Sequence, residues 1–539
     1  MAKKKKKNTN DEYAKKIVKG VVGSSSSKLA AKKVKKIDKS ILIEKYTIKS
    51  EKSTDVDVEI RKKGVGIIYT LKIPEIDVAT KALLEEIRNE LITTTTIGMN
   101  EIMNPDALDE IRRRFLNESG ALLNKKVPTI KTRTKDILVN KLLQDMLGLG
   151  EIEFLINDAN LEEIVIPSAK EPIRVYHKKY GWLPSSLKIG REDEIVNYAN
   201  IIARRVGRQI TVLNPLLDAH LSSGDRINSV LYPISTKGNT ITIRRFARDP
   251  YTIIDLIGNK TIDINVSVLL WLAIEYEMNI IFSGGTASGK TVILNACMPF
   301  IPPNHRIISV EDTRELMLPD FLYWTPMVTR SSNPEGKGEV SMLDLLVSSL
   351  RMRPDRIVLG EMRREEEAMV MFEAMHTGHS VYATMHANSA TETISRLTNP
   401  PLSVPSNLLN AVNLNVVMFR DRRRGIRRVL QVAEFSAQDN RANATVLYRW
   451  IADTDTIVRH AESSKFFEDI TKTTGMTGKE VEKNLEDKKN ILNWLIKNKI
   501  RDLESFGNVM NHYYSDKEAL LKEIRRNNVK MFQKGKGTR

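Results

Sequence analysis

Hydrophobic positions along this chain change period several times, and each change predicts a different element. "ILIEKYTIKS", "VDVEIRKK" and "VGIIYTLKI", all before Pro74, are β-branched runs of strand length and predict a small sheet. From Asp77 to about Asn140, apolar residues recur at spacings of three and four, as in "DVATKALLEEIRNELI" and "ALDEIRRRFLN", which predicts helices. "GLGEIEFLINDANLEEIVI" returns to turn and strand signals, and residues 160–246 alternate strands with one helix around "DEIVNYANIIARRVG". "ARDPYT", with its Asp249-Pro250 turn dipeptide, is the best linker candidate. Beyond it, "NIIFSGG", "RIISVED", "RIVLGE" and "SVYATMH" are apolar runs of buried-strand length alternating with helical segments. Strands that are apolar throughout are covered on both faces, so this half predicts a largely parallel sheet flanked by helices. Residues from about 460 to 530 read as mostly helical.

The expected organisation is α/β. A basic tail (1–39) is followed by strands and helices (40–139), an α+β domain (140–247), a linker (248–255), an α/β core (256–435) and a mostly helical C-terminal extension (436–539). Composition adds exclusions. No apolar run reaches the ~18 residues of a transmembrane helix, and the nearest, "VSVLLWLAIEYEMNIIF", is broken by Glu275 and Glu277. No secretory signal pattern opens the chain. The single cysteine, Cys297, rules out an intramolecular disulfide framework and a four-cysteine zinc ribbon, so an intracellular, soluble protein is the expectation. The net charge of +17 is concentrated: residues 1–39 hold fourteen lysines against Asp11, Glu12 and Asp38. This arm reads as disordered, and three roles stay open: attraction to anionic lipid at about 1 kcal/mol per lysine, nucleic-acid binding, or solubility alone.

The sharpest chemistry lies in "GGTASGKT", Gly284 to Thr291, which fits G-x-x-x-x-G-K-[ST] between a strand-like and a helical segment. In that setting the N–H groups of Gly284, Gly285, Thr286, Ala287, Ser288 and Gly289 cradle phosphate oxygens. Lys290 reaches the β and γ phosphates, and Thr291 holds Mg²⁺. ATP and Mg²⁺ are therefore the expected substrate and cofactor. Phosphoryl transfer to water also needs carboxylates. "RIISVEDTREL" offers a strand ending in Glu311 and Asp312, and "RIVLGEMR" one ending in Glu361. Strand C-termini of a parallel sheet converge on one edge, which puts these acids beside the phosphate loop.

"AMHTGHSVYATMHANSA" carries three of the eight histidines, His376, His379 and His386, spaced as if for a metal. "SVYATM" reads as a strand, however, and residues seven apart on a strand lie roughly 20 Å apart on opposite faces. His379 and His386 are then too far apart to share an ion; the readings left are structural histidines satisfied within the fold and, for His386 at a strand end, a phosphate contact.

Together "GGTASGKT", "VEDTREL", "RIVLGEMR" and "MHTGHSVYATMHANS" resemble, in this order, the motor ATPases of the type II and type IV secretion superfamily. The C-terminal helices look closest to archaeal members that drive archaella or type IV pili. The resemblance covers about residues 140–525. It implies a RecA-like phosphate-loop ATPase domain and a homo-hexamer at the inner face of the cell membrane. Its partners would be a polytopic membrane platform protein and other archaellum or pilus motor components. By the same resemblance Glu311 is the general base or water-orienting acid, Glu361 helps hold Mg²⁺, and Asp312 supports that site. His379 and His386 couple the γ-phosphate to the sheet, and Arg226, Arg244 and Arg245 are offered to the nucleotide by the N-terminal domain. His376 takes no role. Alternation along a strand lets only one of Arg244 and Arg245 face the nucleotide, and Arg351 and Arg353 are rival fingers. "FRDRRRGIRR", Phe419 to Arg428, reads as a hairpin tip, either a solvated basic turn or a dock for the membrane platform. A nucleic-acid translocase is the alternative reading. No basic–aromatic interleaving outside the tail supports it.

Overall fold

The structure is a computed structural model. It describes residues 40–532 apart from 50–54, 74–75, 95–106, 147, 222–223, 246–249, 331, 333–335, 439–440, 464 and 530. The lysine-rich arm and the Asp249 position of the linker lie outside the described residues. The chain forms two compact units divided between residues 247 and 248.

In the first unit, β1 (Ile41–Ile48), β2 (Val56–Lys63) and β3 (Gly66–Lys72) form the antiparallel sheet expected from their β-branched runs. Their alternation puts Val56, Val58 and Ile60 inward. The helices Val78–Thr94, Ala107–Lys126 and Thr132–Met146 bury Ile87, Leu91, Phe115, Leu123 and Leu142 in a small core of their own. The main sheet comprises β4 (Leu161–Ile166), β5 (Arg174–His177), β6 (Gly181–Pro184), β7 (Leu216–His220), β8 (Arg226–Val230) and β9 (Thr240–Arg244). Their order is β6-β5-β4-β9-β8-β7, all antiparallel, with the helix Glu192–Arg205 in the same core. The β1–β3 sheet shares this core, and Tyr46 and Tyr69 both donate to Asp158 Oδ2, at 2.6 and 2.7 Å.

The second unit is built on a nine-stranded sheet. Its strands are β10 (Ile280–Gly284), β11 (Arg306–Glu311), β12 (Tyr323–Val328), β13 (Arg356–Leu359), β14 (Ser380–Met385), β15 (Leu414–Asp421), β16 (Ile426–Gln438), β17 (Arg441–Ile451) and β18 (Thr456–Arg459). The order is β12-β11-β13-β14-β10-β15-β16-β17-β18, parallel through β15 and antiparallel after it. Every residue of β10, β13 and β14 is buried, as the apolar runs predict. The helices Met342–Leu350, Glu365–His376 and Ala390–Thr398 cover one face. Ile264–Glu275 and Lys290–Cys297 cover the other, beneath the C-terminal helices Phe466–Thr474, Gly478–Lys497, Leu503–Ser515 and Lys517–Arg525.

One point differs from the sequence-based division. The sheet does not stop at residue 435: β16 to β18 carry it to Arg459, and the helices start only at Phe466. The most apolar segment, Ile264–Glu275, is buried from Val266 to Ile274 because sheet and C-terminal helices sandwich it. Trp271 stacks on Phe300, with centroids 5.0 Å apart, and its indole N–H donates to Tyr514. Among the described residues no helix is long and apolar enough to cross a membrane.

Candidate functional site

Parallel pairing sets the geometry of the site. Ser283 of β10 stands opposite Met385 of β14, Ala383 opposite Leu359 of β13, and Leu359 opposite Val310 of β11. The C-terminal ends of all four strands therefore meet at one edge. There the chain places the phosphate loop after β10, Glu311 at the end of β11, Glu361 just after β13 and His386 just after β14.

The loop can adopt its shape only with glycine at its start. Gly284 has φ +153°, and a Cβ there would lie 2.5 Å from Ser288 Oγ and 2.6 Å from the Met418 carbonyl. Gly289, at φ +96°, then opens the helix Lys290–Cys297. Lys290 is 8% exposed. Its Nζ donates to the carbonyls of Gly284 (3.1 Å) and Gly285 (3.2 Å) and lies 3.4 Å from His386 Nδ1. His386 Nε2 is 2.9 Å from Glu361 Oε1. Burial and the neighbouring Lys290 hold the His386 pKa below its ordinary value, so the imidazole is neutral at pH 7. Accepting from Lys290 at Nδ1, it donates from Nε2 to Glu361. Lysine, imidazole and carboxylate thus form one chain across the edge.

Arg363, two residues after Glu361, completes it. Its Nε donates to Glu361 Oε2 (2.9 Å) and its Nη1 to Asp312 Oδ2, so one guanidinium bridges the two acids. Sequence reasoning gives Arg363 no role, although it lies within "GEMR". The signal that could have found it is its i+2 spacing from Glu361, which returns a side chain to the same side of an extended segment.

Glu311 sits deeper. Its Oε1 accepts from the N–H groups of Glu315 (2.9 Å) and Leu316 (3.1 Å). Gly360 packs against it so closely that a Cβ would lie 3.3 Å from Glu311 Cα and Cγ. Burial raises its pKa to about 7, partly offset by the two N–H donors. Among the described residues, Glu311 Oε2 and Ser288 Oγ are buried polar atoms with no partner. A glycine cradle, an unpartnered Ser288 hydroxyl and a lysine folded onto carbonyls are what a phosphate chain would complete, and the unpartnered Glu311 oxygen is an acceptor for water. Thr291, half-buried in the first helical turn, and Glu361 are suitably typed to hold Mg²⁺.

Three expected site residues fall elsewhere. His379 precedes β14 rather than following it, so the length of that strand separates it from the loop. Its Nδ1 lies 3.1 Å from Thr377 Oγ1 and 3.2 Å from the Ala374 carbonyl, fastening the turn after Glu365–His376. His379 is therefore no part of this edge. Arg351 and Arg353 likewise precede β13, at the opposite edge of the sheet. The three N-terminal arginines belong to the first unit. Arg226 and Arg244 are direct cross-strand partners, and Arg226 pairs with Asp218 at 2.7 Å. Arg245 turns the other way and donates from Nη1 to the carbonyls of Asp158 and Leu161, bracing that loop. Arg245 is thus taken up within its own unit.

The basic hairpin is the larger surprise. β15 lies beside β10 and its turn leads into β16, so "FRDRRRGIRR" stands over the phosphate loop rather than away from it. Arg427 Nε donates to the Ala287 carbonyl at 3.1 Å.

The chain is similar to several known proteins. An uncharacterized protein of Methanocaldococcus jannaschii, MJ0900, is 35% identical over 397 residues, spanning 71% of both chains. A VirB11 protein of the type IV secretion system of Bartonella henselae is 28% identical over 51% of this chain and 84% of its own. The X-ray structure of the Legionella pneumophila ATPase DotB aligns over 72% of this chain and 96% of its own, at 18% identity and a TM-score of 0.39. The family described as type II/IV secretion system protein matches residues 193–450, a span that holds the loop, Glu311, Glu361 and His386. The chain belongs to the type II/IV secretion system protein family.

Proposed function

We propose that this chain is an ATP-hydrolysing motor that powers assembly or rotation of a type IV pilus-like filament, an archaellum or an archaeal pilus. It works as a homo-hexamer at the inner face of the cell membrane, against a polytopic platform protein. The observation that carries the reading is the junction of the phosphate loop with the Lys290–His386–Glu361 chain and the buried Glu311 at one sheet edge.

The residues divide the work. Backbone N–H groups from Gly284 to Thr291 hold the phosphates and Lys290 neutralises their outer oxygens. Thr291 and Glu361 would hold Mg²⁺, with Asp312 tied to Glu361 through Arg363; the ion would supply charge neutralisation on the phosphates. Glu311 orients water and takes its proton, and a pKa near 7 suits a general base at neutral pH. His386 links Lys290 to Glu361 and so registers whether the terminal phosphate is present. Closure and reopening of the motor would be a rigid-body movement of domains. In cells, a Glu311→Gln strain is expected to keep normal levels of the protein yet make no filaments. Normal filaments in that strain would overturn the motor reading.

A further inference from the structure

Beside the phosphate loop, between Asn388 and the β15–β16 hairpin, lies a cavity of about 290 Å³. It is lined by Gly285, Thr286 and Ser288 of the loop, by Asn388, and by Arg420 and Arg422 of the β15–β16 hairpin. Arg420 stands directly opposite Arg427 across the hairpin. Like charges in that position repel and are destabilising in a sheet, yet a third arginine, Arg422, follows just after Asp421, whose carboxylate lies 3.7 Å from Arg424. Among the described residues neither Arg420 nor Arg422 has an acidic partner.

The hairpin is also held firmly over the loop. Arg428, 5% exposed, makes a two-pronged pair with Asp455 at 2.7 and 2.8 Å, and Trp450 donates to the same carboxylate. Phe419 packs on Trp450 with centroids 5.6 Å apart. Arg427 bonds to the Ala287 carbonyl, and its Cδ lies 3.4 Å from where a Gly289 Cβ would be. Two arginines without acidic partners, carried by an anchored hairpin beside a phosphate cradle, make a site for an anion.

Strand order says which part of the ligand meets it. β10, carrying the loop, lies between β14 on one side and β15 on the other. Glu311, Glu361 and His386 all belong to the β14 side. A phosphate chain whose terminal end meets those groups has its nucleoside end on the β15 side. From this geometry we infer that Arg420 and Arg422 clamp the nucleoside-proximal phosphate of the bound nucleotide, so that they hold the diphosphate product as well as the triphosphate. The inference rests on the ATPase reading above and adds to it the residues that govern product retention.

ADP binding measured by titration calorimetry tests this, because ADP lacks the γ-phosphate that the opposite side would contact. The Arg420→Ala/Arg422→Ala variant is expected to bind ADP at least about tenfold more weakly, the scale of a lost charge-assisted contact. Arg423→Ala/Arg424→Ala, which removes the same charge at the exposed turn, is expected to stay within about twofold of wild type. ADP affinity unchanged in the first variant, or an equal loss in both, would overturn the clamp. Lys290→Ala separates the two claims: if wild type binds ADP and this variant does not, the ATPase reading stands whatever the hairpin does. No ADP binding by wild type would overturn both.

Discussion

Replacing Glu311 by glutamine alters one property of the site at a time, because the amide keeps an acceptor for the Glu315 and Leu316 N–H groups but cannot ionise. Glu311 is 1% exposed, and burial raises its pKa from the ordinary 4.5 to about 7. A tenfold change in proton affinity is worth about 1.4 kcal/mol, so ionising this group in the folded protein costs about 3 kcal/mol relative to the unfolded chain. The folded pKa is the higher one. Stability is therefore intact below about pH 4.5, falls as pH rises toward 7, and stays reduced above it. The glutamine variant escapes this loss, and its advantage over wild type is expected to grow by about 2 kcal/mol between pH 5 and pH 8. Urea unfolding followed by tryptophan fluorescence reads it, since Trp271, Trp324, Trp450 and Trp494 all lie in the second unit. A stability difference that is the same at both pH values would refute the buried, proton-retaining carboxyl on which the base assignment rests.

Two further substitutions probe the frame around the site. Gly284→Ala forces a Cβ against the Met418 carbonyl at a φ of +153° and should cost on the order of 2–3 kcal/mol, with weaker nucleotide binding; a wild-type urea midpoint would count against the loop geometry. Lys488, fully buried on the helix Gly478–Lys497, pairs with Glu275 at 2.5 Å and donates to Tyr513, and burial lowers its pKa to about 8. Lys488→Met should destabilise the second unit by roughly 3–5 kcal/mol by stranding Glu275, and Lys488→Met/Glu275→Leu should recover most of that. Equal stability of the single and double variants would remove the ion pair from the account.

What was legible in the sequence was what depends on local spacing. The phosphate loop declares itself in eight residues, and the apolar runs of β10, β11, β13 and β14 announce a sheet buried on both faces. Strand direction then brings Glu311, Glu361 and His386 to one edge without further information. The failures share a different cause. "FRDRRRGIRR" reads as a solvated tip, and Arg422 to Gly425 are exposed, but its place beside the phosphate loop comes from β15 pairing with a strand some 130 residues earlier. His379 follows the same logic in reverse: the right residue type in the right motif, but at the wrong end of β14. Lys488 sits in the polar run "NLEDKKNILNW", and only the third dimension shows that its ammonium lies against Trp271 and Tyr513, 5.4 and 5.3 Å from their rings.

The central claim is that Glu311 acts on water beside a bound nucleoside triphosphate, and the ATP turnover and ATP affinity of Glu311→Gln, measured together with Mg²⁺ present, test it most directly. ATP binding is expected within about threefold of wild type and turnover reduced by about 10² or more, the range for loss of a general base. Turnover near that of wild type, with binding intact, would contradict it.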